Sequence, residues 1–192
     1  MGSQVAPEDA VIKQINQVEE PVEDLDEESD STDAVEGDSC SIEQRTIHDY
    51  NSPRQIRSLV FHLLYAGYAY NYEISVTELI SLFNIGFQLD IPQDGEIERM
   101  VTGIIEHRQE LDVRISKELD NWRLERIGRC TRIILRMALW ELEFRQTPPI
   151  IVIDEAIELA KCFAESDAYR FVNGVLDQIV KKSAGESPVP AA

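Results

Sequence analysis

The stretch RIILRMALWELEFRQTPPIIVIDEAIELAKCFAESDAYRFVNGVLDQIVKK, residues 132–182, decides the fold class of this chain. Its first part has apolar residues at the i, i+3, i+4 and i+7 spacing of one helix face, namely Leu135, Ala138, Leu139 and Leu142. The adjacent prolines at 148 and 149 cannot continue a helix, so this pattern stops there. Two further helical patterns follow within residues 152–163 and 171–180. The stretch therefore predicts three successive helices.

The upstream sequence has the same helical periodicity. Ser52 followed by Pro53 is typical of an N-cap and a first helical turn, and apolar residues recur at helical intervals after it. A second helix is predicted at 76–87, and a third, longer one from about 95 to 118. Gly128 is expected to divide the next segment into a short and a long helix. With no persuasive period-two strand, we predict an all-α fold, a compact bundle of about seven helices.

The N-terminal part of the chain differs in composition from the rest. Residues 1–44 hold 14 acidic side chains against the single Lys13, whereas residues 45–192 hold 22 acidic against 17 basic side chains. The first 49 residues also contain no aromatic residue. Such a composition cannot bury enough apolar surface to offset the entropy of ordering. We predict an acidic disordered N-terminal extension (1–49), a helical domain (50–183) and a flexible C-terminus (184–192).

The sequence offers no signature of an enzyme. It has no Walker loop, GxSxG elbow or GxGxxG motif, and His48, His62 and His107 lack metalloprotease spacing. The three cysteines have no CxxC spacing, so no metal site is indicated. We therefore predict no catalytic residues, no cofactor and no metal. No apolar run reaches eighteen residues and the N-terminus lacks a basic and an apolar leader region, so we expect a cytoplasmic protein without membrane contact.

Arginine is the dominant cation despite the formal net charge of −18, since it supplies 13 of the 18 basic side chains. Five arginines fall within residues 123–136 against Glu125 alone, so a local basic surface is possible. Arg54 and Arg57 are three apart on one side of the first helix, where they could meet an RNA backbone or only solvent. The end of the same helix is crowded with aromatics that RNA bases could stack on, Tyr65, Tyr68, Tyr70 and Tyr72.

Several motifs resemble the NusB family. Residues 132–182 have its LR-x-A-x-x-E-L helix, a proline, its V-I-x-E-A-I-x-L-A-K helix and a loop that leads into F-V-N-G-V-L-D. Upstream, RQIRSLVFHLLYA (54–66) and VTGIIEHRQELDVRIS (101–116) resemble the family's first helix and its central segment. The resemblance covers residues 53–182. It implies an all-helical fold of two packed helical bundles and a non-enzymatic role in transcription antitermination.

The resemblance also implies the partners and the RNA-facing residues. The expected ligand is boxA-type single-stranded RNA of nascent ribosomal RNA operon transcripts. The expected protein partners are the ribosomal protein NusE and the RNA polymerase antitermination complex. The residues that match the family's RNA side are Arg54 and Arg57 in the first helix, and Ser166, Asp167, Tyr169 and Arg170 before the last helix.

Four further residues at family positions are expected to serve the structure. Arg136 and Glu155 could form a partly buried ion pair that joins two helices. Gly174 would permit the close approach of another helix, and Asn173 would satisfy backbone groups. For this last pair, a role in RNA binding stays open beside fold maintenance.

Two departures from the family pattern leave alternatives open. The family's first helix usually opens with a denser arginine cluster, which Pro53 and Gln55 partly replace here. An adaptor that binds NusE but has weak or no RNA binding is therefore the alternative function. The acidic extension is the second departure. One hypothesis is that it folds back over Arg54 and Arg57 as an intramolecular mimic of RNA.

Overall fold

The computed structural model describes residues 50–119, 123–145 and 147–185, which form seven α-helices and one 3-10 turn. The predicted all-α class is thus confirmed for the described residues. The predicted N-terminal extension and residues 186–192 lie outside them. The helices are α1 (Pro53–Ala69), α2 (Val76–Phe87), α3 (Glu96–Glu106), α4 (Arg108–Lys117), α5 (Arg129–Phe144), α6 (Pro149–Phe163) and α7 (Ala168–Gly185), and the 3-10 turn is Leu124–Arg126.

The helices pack in two groups around α5. Helices α1, α2 and α3 contact one another, and α5, α6 and α7 form the second group. Helix α5 also touches α1, α3 and α4, so it joins the two groups. Its residues from Ile133 to Leu139 are all buried, as expected of a helix that is surrounded on every side. No helix in the described ranges is both long and apolar enough to cross a membrane.

Helix α1 begins where the sequence predicts. The Ser52 side chain accepts a hydrogen bond from the backbone N–H of Gln55, and the Gln55 side chain accepts one from the backbone N–H of Ser52. This reciprocal capping box satisfies two N–H groups that a helix start leaves without partners. Pro53 in the first turn has no N–H to satisfy. The cap fixes the point from which α1 presents Arg54 and Arg57.

The predicted helix 95–118 is in fact two helices that break at His107. The backbone N–H of His107 donates to the carbonyl oxygen of Gly103, and its ring Nδ1 lies 2.8 Å from the same oxygen. The His107 ring packs against Phe144 of α5, with 4.6 Å between ring centroids. A Cβ atom at Gly103 would lie 2.7 Å from the Trp140 ring. The break is therefore fixed by contacts with α5, which periodicity alone cannot reveal.

Candidate nucleic-acid interface

Arg57 lies inside the protein. It is 8% exposed, and its Nε and Nη2 donate to the two carboxylate oxygens of Glu141 at 2.7 and 2.8 Å. Burial acts to lower the pKa of Arg57, but the hydrogen bonds and charge of Glu141 outweigh it and raise the pKa above its usual value. The guanidinium is thus fully engaged with α5. We correct the predicted RNA-facing role of Arg57 to a structural one.

Arg54 remains partly accessible at the start of α1. Its side chain is 44% exposed, and its Nη2 donates to Glu155 of α6 at 2.9 Å. Hydrogen bonds to Glu155 raise the pKa of the Arg54 guanidinium. The same carboxylate lies 3.8 Å from Arg57. Glu155 therefore ties α6 to α1 while the outer side of Arg54 stays open to solvent.

The predicted ion pair between Arg136 and Glu155 does not form. Arg136 instead donates from Nε and Nη2 to Asp112 of α4, both at 2.7 Å, and from Nη1 to the Tyr72 hydroxyl at 3.3 Å. Burial acts to lower the Arg136 pKa, but the pairing with Asp112 raises it overall. Glu141 follows Arg136 by five positions on α5, which turns their side chains about 140° apart around the helix. Arg136 thus faces α4, whereas Glu141 faces α1.

The other predicted RNA-facing residues lie together where α6 leads into α7, with Ser166 and Asp167 in the loop and Tyr169 and Arg170 in the first turn of α7. Ser166, Asp167 and Arg170 are exposed. Asp167 has a φ of 65°, the left-handed region that aspartate adopts more readily than most residues. Arg170 donates from Nε to the Tyr169 hydroxyl at 3.0 Å, and its Nη1 lies 3.4 Å from the Asp167 carboxylate. The loop therefore presents a positive charge and an aromatic ring side by side.

Tyr169 is flanked by two cations. The Nζ atom of Lys161 lies 5.6 Å from the ring centroid, and the Cζ atom of Arg170 lies 5.5 Å from it. Both distances are within the range of cation–π attraction. Aromatic rings beside cationic groups are the usual platform for unstacked bases of single-stranded nucleic acid. Lys161 was not among the predicted residues, because only the fold brings it next to the loop.

Arg54 and the α6–α7 loop lie on the same side of the molecule. Arg54 contacts Glu155 in the middle of α6, and Phe61 stacks on Phe163 at the end of α6, with 4.7 Å between centroids. Helices α1 and α6 therefore run side by side in the same direction. The eight residues from Glu155 to Phe163 span about 12 Å. Together, Arg54 and the loop form one candidate surface, although Glu155 and Glu158 lie along it.

Asn173 and Gly174 do not support the fold as predicted. Both are exposed on α7. A Cβ atom added at Gly174 would meet nothing within 4 Å. The expectation that this glycine permits the close approach of another helix is therefore wrong within this chain, because no described element approaches it.

A second group of cations and aromatics lies at the far end of α1, where α5 begins. The Arg129 guanidinium lies 4.5 Å from the Tyr68 ring centroid and 5.6 Å from that of Tyr65. Arg132 donates from Nη2 to the Tyr68 hydroxyl at 2.9 Å. The sequence indicated the arginine-rich window and the tyrosines separately, but their contact spans 64 residues. Only the packing of α1 on α5 reveals it.

Comparison with known proteins identifies relatives along the whole helical part. The model of the NusB family matches residues 54–181. Transcription antitermination protein NusB of Staphylococcus carnosus (strain TM300) is 38% identical over 128 residues, covering 67% of this chain and 98% of the relative. The protein of the same name from Bacillus subtilis (strain 168) is 42% identical over 110 residues, covering 56% of this chain and 84% of the relative.

Solved structures have the same fold. T. maritima NusB superimposes with a TM-score of 0.60 and is 33% identical, covering 67% of this chain and 90% of the other. A chain from a crystal structure described as that of a plectonemic RNA supercoil also has a TM-score of 0.60. It is 27% identical and covers 70% of this chain and 97% of the other.

Proposed function

The chain belongs to the NusB family, and from that premise we propose that it is a transcription antitermination factor that binds RNA. The proposed ligand is boxA-type single-stranded RNA of nascent ribosomal RNA operon transcripts. The proposed protein partners are the ribosomal protein NusE and, through it, the RNA polymerase antitermination complex. In this proposal the protein acts in the cytoplasm by binding, without a catalytic step of its own.

One observation carries the RNA-binding part of the proposal, the position of Tyr169 between Lys161 and Arg170. The ring offers a face on which a base can stack, and the two cations can meet the neighbouring phosphates. Arg54 extends this surface along α1 and α6 with a second partly exposed guanidinium. Ser166 and Asp167 would border the RNA at the loop.

The charge of this surface explains why a protein partner would be needed. The carboxylates of Glu155 and Glu158 lie near Arg54, and Asp167 lies near Arg170. Since phosphate contacts dominate the affinity for nucleic acid, few unopposed cations mean weak binding by the chain alone. NusE would add contacts to the same RNA, and two linked surfaces bind more tightly than either does alone.

The test is the binding of a fluorescent boxA-like RNA to the full chain across a salt series, with and without purified NusE. We expect weak, salt-sensitive binding that NusE strengthens. Replacing Tyr169 by leucine should weaken binding about 5- to 150-fold, because one stacked base contributes about 1–3 kcal/mol. Lys181→Gln is the matched control, since it removes an exposed cation elsewhere on α7. Equal affinities for the wild type and the Tyr169 variant would contradict the proposed surface.

An adaptor that binds NusE without RNA remains the second candidate function. The burial of Arg57 favours it, because only one of the two first-helix arginines is left to face RNA. The same experiment separates the two functions. A stable complex with NusE, but no RNA binding at low salt in its presence or absence, would establish the adaptor.

A further inference from the structure

A second group of exposed cations lies where the 3-10 turn leads into α5, beside the α6–α7 loop, because Thr131 of α5 donates a hydrogen bond to Glu165 at 2.9 Å. Arg123, Arg126 and Arg129 are exposed at the 3-10 turn and the start of α5, and we call them the basic strip. None of the three forms an ion pair within the described part of the chain. By contrast, Arg54, Arg57 and most other arginines there are matched with carboxylates. One exposed carboxylate, that of Glu125, lies between Arg123 and Arg126 in the sequence, so the three arginines leave a net charge of about +2 at the strip.

The same chain contains a segment of opposite charge. Residues 23–30, EDLDEESD, hold six carboxylates in eight positions, and Lys13 is the only cation among residues 1–44. This segment lies outside the described residues. Its charge is set by the sequence alone, so the complementarity with the basic strip does not depend on how the segment is folded.

We propose that the acidic segment 23–30 docks on the basic strip of its own chain. The length of the connection fits this contact. The described chain begins at Tyr50, next to the start of α1, and the strip lies near Tyr68 at the other end of that helix. At 1.5 Å per residue, these two points are roughly 22 Å apart. A flexible chain of 20 residues, the number from 31 to 50, would have a root-mean-square span of about 25 Å.

Residues 31–50 tether the acidic segment to the helical part of the chain, so even weak ion pairs between the segment and the strip are enough for docking. Individual exposed ion pairs contribute little because water and salt screen them. A tether whose mean span matches the separation of its two ends holds the segment at an effective concentration in the millimolar range. Several pairs can then form at once. The docking is therefore expected at low salt and should disappear as the Debye length falls to about 3 Å near 1 M salt.

The structure favours this site over the surface of Arg54 and Arg57. Arg57 is buried against Glu141, and Arg54 is held by Glu155, so neither is an unopposed cation. It also favours the acidic segment over RNA as the occupant of the strip. The guanidinium of Arg129 lies 4.5 Å from the Tyr68 ring centroid, closer than the 5.5 Å between Arg170 and the Tyr169 centroid, so it leaves less of the Tyr68 ring free for a base.

The first experiment compares amide NMR spectra of two full chains, the wild type and a variant with residues 23–30 neutralised (E23Q, D24N, D26N, E27Q, E28Q and D30N). At about 50 mM salt, where charges are weakly screened, we expect shift differences at residues 123–133 that vanish near 1 M salt. Differences centred on Arg54 and Arg57 would overturn the proposal, and so would no difference at all. None of the six positions is among the described residues, so none of the contacts described above should change.

The second experiment measures how fast a glutamate-specific protease cuts residues 1–44 of the full chain at low salt. The strip variant R123Q/R126Q/R129Q should be cut several times faster than the wild type. The matched control is R99Q/R114Q/K181Q, which removes three exposed cations elsewhere and should be cut at the wild-type rate. Equal rates for the strip variant and the wild type would overturn the proposal. Protection that grows with protein concentration would also overturn it, by assigning the strip to the segment of a second copy.

Discussion

At the scale of single residues, an ion pair is buried within the apolar core, between α1 and α5. Arg57 and Glu141 form two parallel hydrogen bonds and are 8% and 2% exposed. Burying two charged groups costs desolvation free energy. The attraction between Arg57 and Glu141 offsets this cost only because their hydrogen-bond geometry is good and each charge has its partner. Glu155, 3.8 Å from Arg57, adds a second carboxylate at the edge. The pair therefore couples α1 to α5 only while both members are present.

Replacing Glu141 by glutamine should destabilise the protein by about 3 kcal/mol, because Arg57 would keep its charge in a buried place with only Glu155 near it. The free energy of unfolding in urea measures this change. Glu143→Gln is the control, since it breaks the more exposed pair with Arg114 and should cost less than about 1 kcal/mol. Similar losses of unfolding free energy in the two variants would show that the buried ion pair contributes no more to stability than the exposed one.

Replacing each of two helical glycines by alanine provides a second test at this scale, because one substitution should lower the stability of the protein and the other should raise it. Gly103→Ala would place a Cβ atom 2.7 Å from the Trp140 ring. Overpacking of this kind costs about 1–3 kcal/mol, more than the helix propensity of alanine returns. Gly174→Ala meets no atom within 4 Å and should stabilise α7 by up to about 1 kcal/mol. Thermal unfolding of the two variants checks both signs, and a stabilising Gly103→Ala would refute the proposed contact.

At the scale of elements, α1 depends on its cap. Ser52→Ala would remove the oxygen that accepts from the Gln55 N–H, and we expect a loss of about 1 kcal/mol in unfolding free energy. Ser52→Gly should cost only a few tenths of a kcal/mol, because glycine is itself tolerated at this position. Denaturant unfolding of both variants tests the cap. If the alanine variant were as stable as the wild type, the capping box would contribute nothing.

At the scale of the whole molecule, the parallel arrangement of α1 and α6 joins two distant parts of the sequence into one candidate RNA surface. We expect both arginines of this surface, Arg54 and Arg170, to contact phosphates. Replacing either one by glutamine should therefore reduce the salt dependence of RNA binding. The expected change is about 0.7 in the slope of log K against log salt, the value for one phosphate on a single strand. Arg99→Gln is an exposed control. Unchanged slopes in both arginine variants would exclude these contacts.

The sequence by itself determined the helical class, the approximate positions of most helices and the cap of α1, because these depend on local periodicity and on side chains a few residues apart. The family motifs in residues 132–182 likewise identified the relatives. Only the tertiary structure decided which charged side chains are buried and with which side chains they form ion pairs. Arg57 pairs with Glu141 across 84 residues, and Arg136 pairs with Asp112 instead of Glu155.

The same distinction explains the break at His107 and the role of Lys161. Both depend on neighbours from other helices, Trp140 and Phe144 in one case and Tyr169 in the other. A helical pattern specifies which face of a helix is apolar, but the angle at which two helices pack decides which polar side chains meet. For that reason the candidate RNA surface could be outlined from the sequence, whereas the exclusion of Arg57 and the exposure of the basic strip could not.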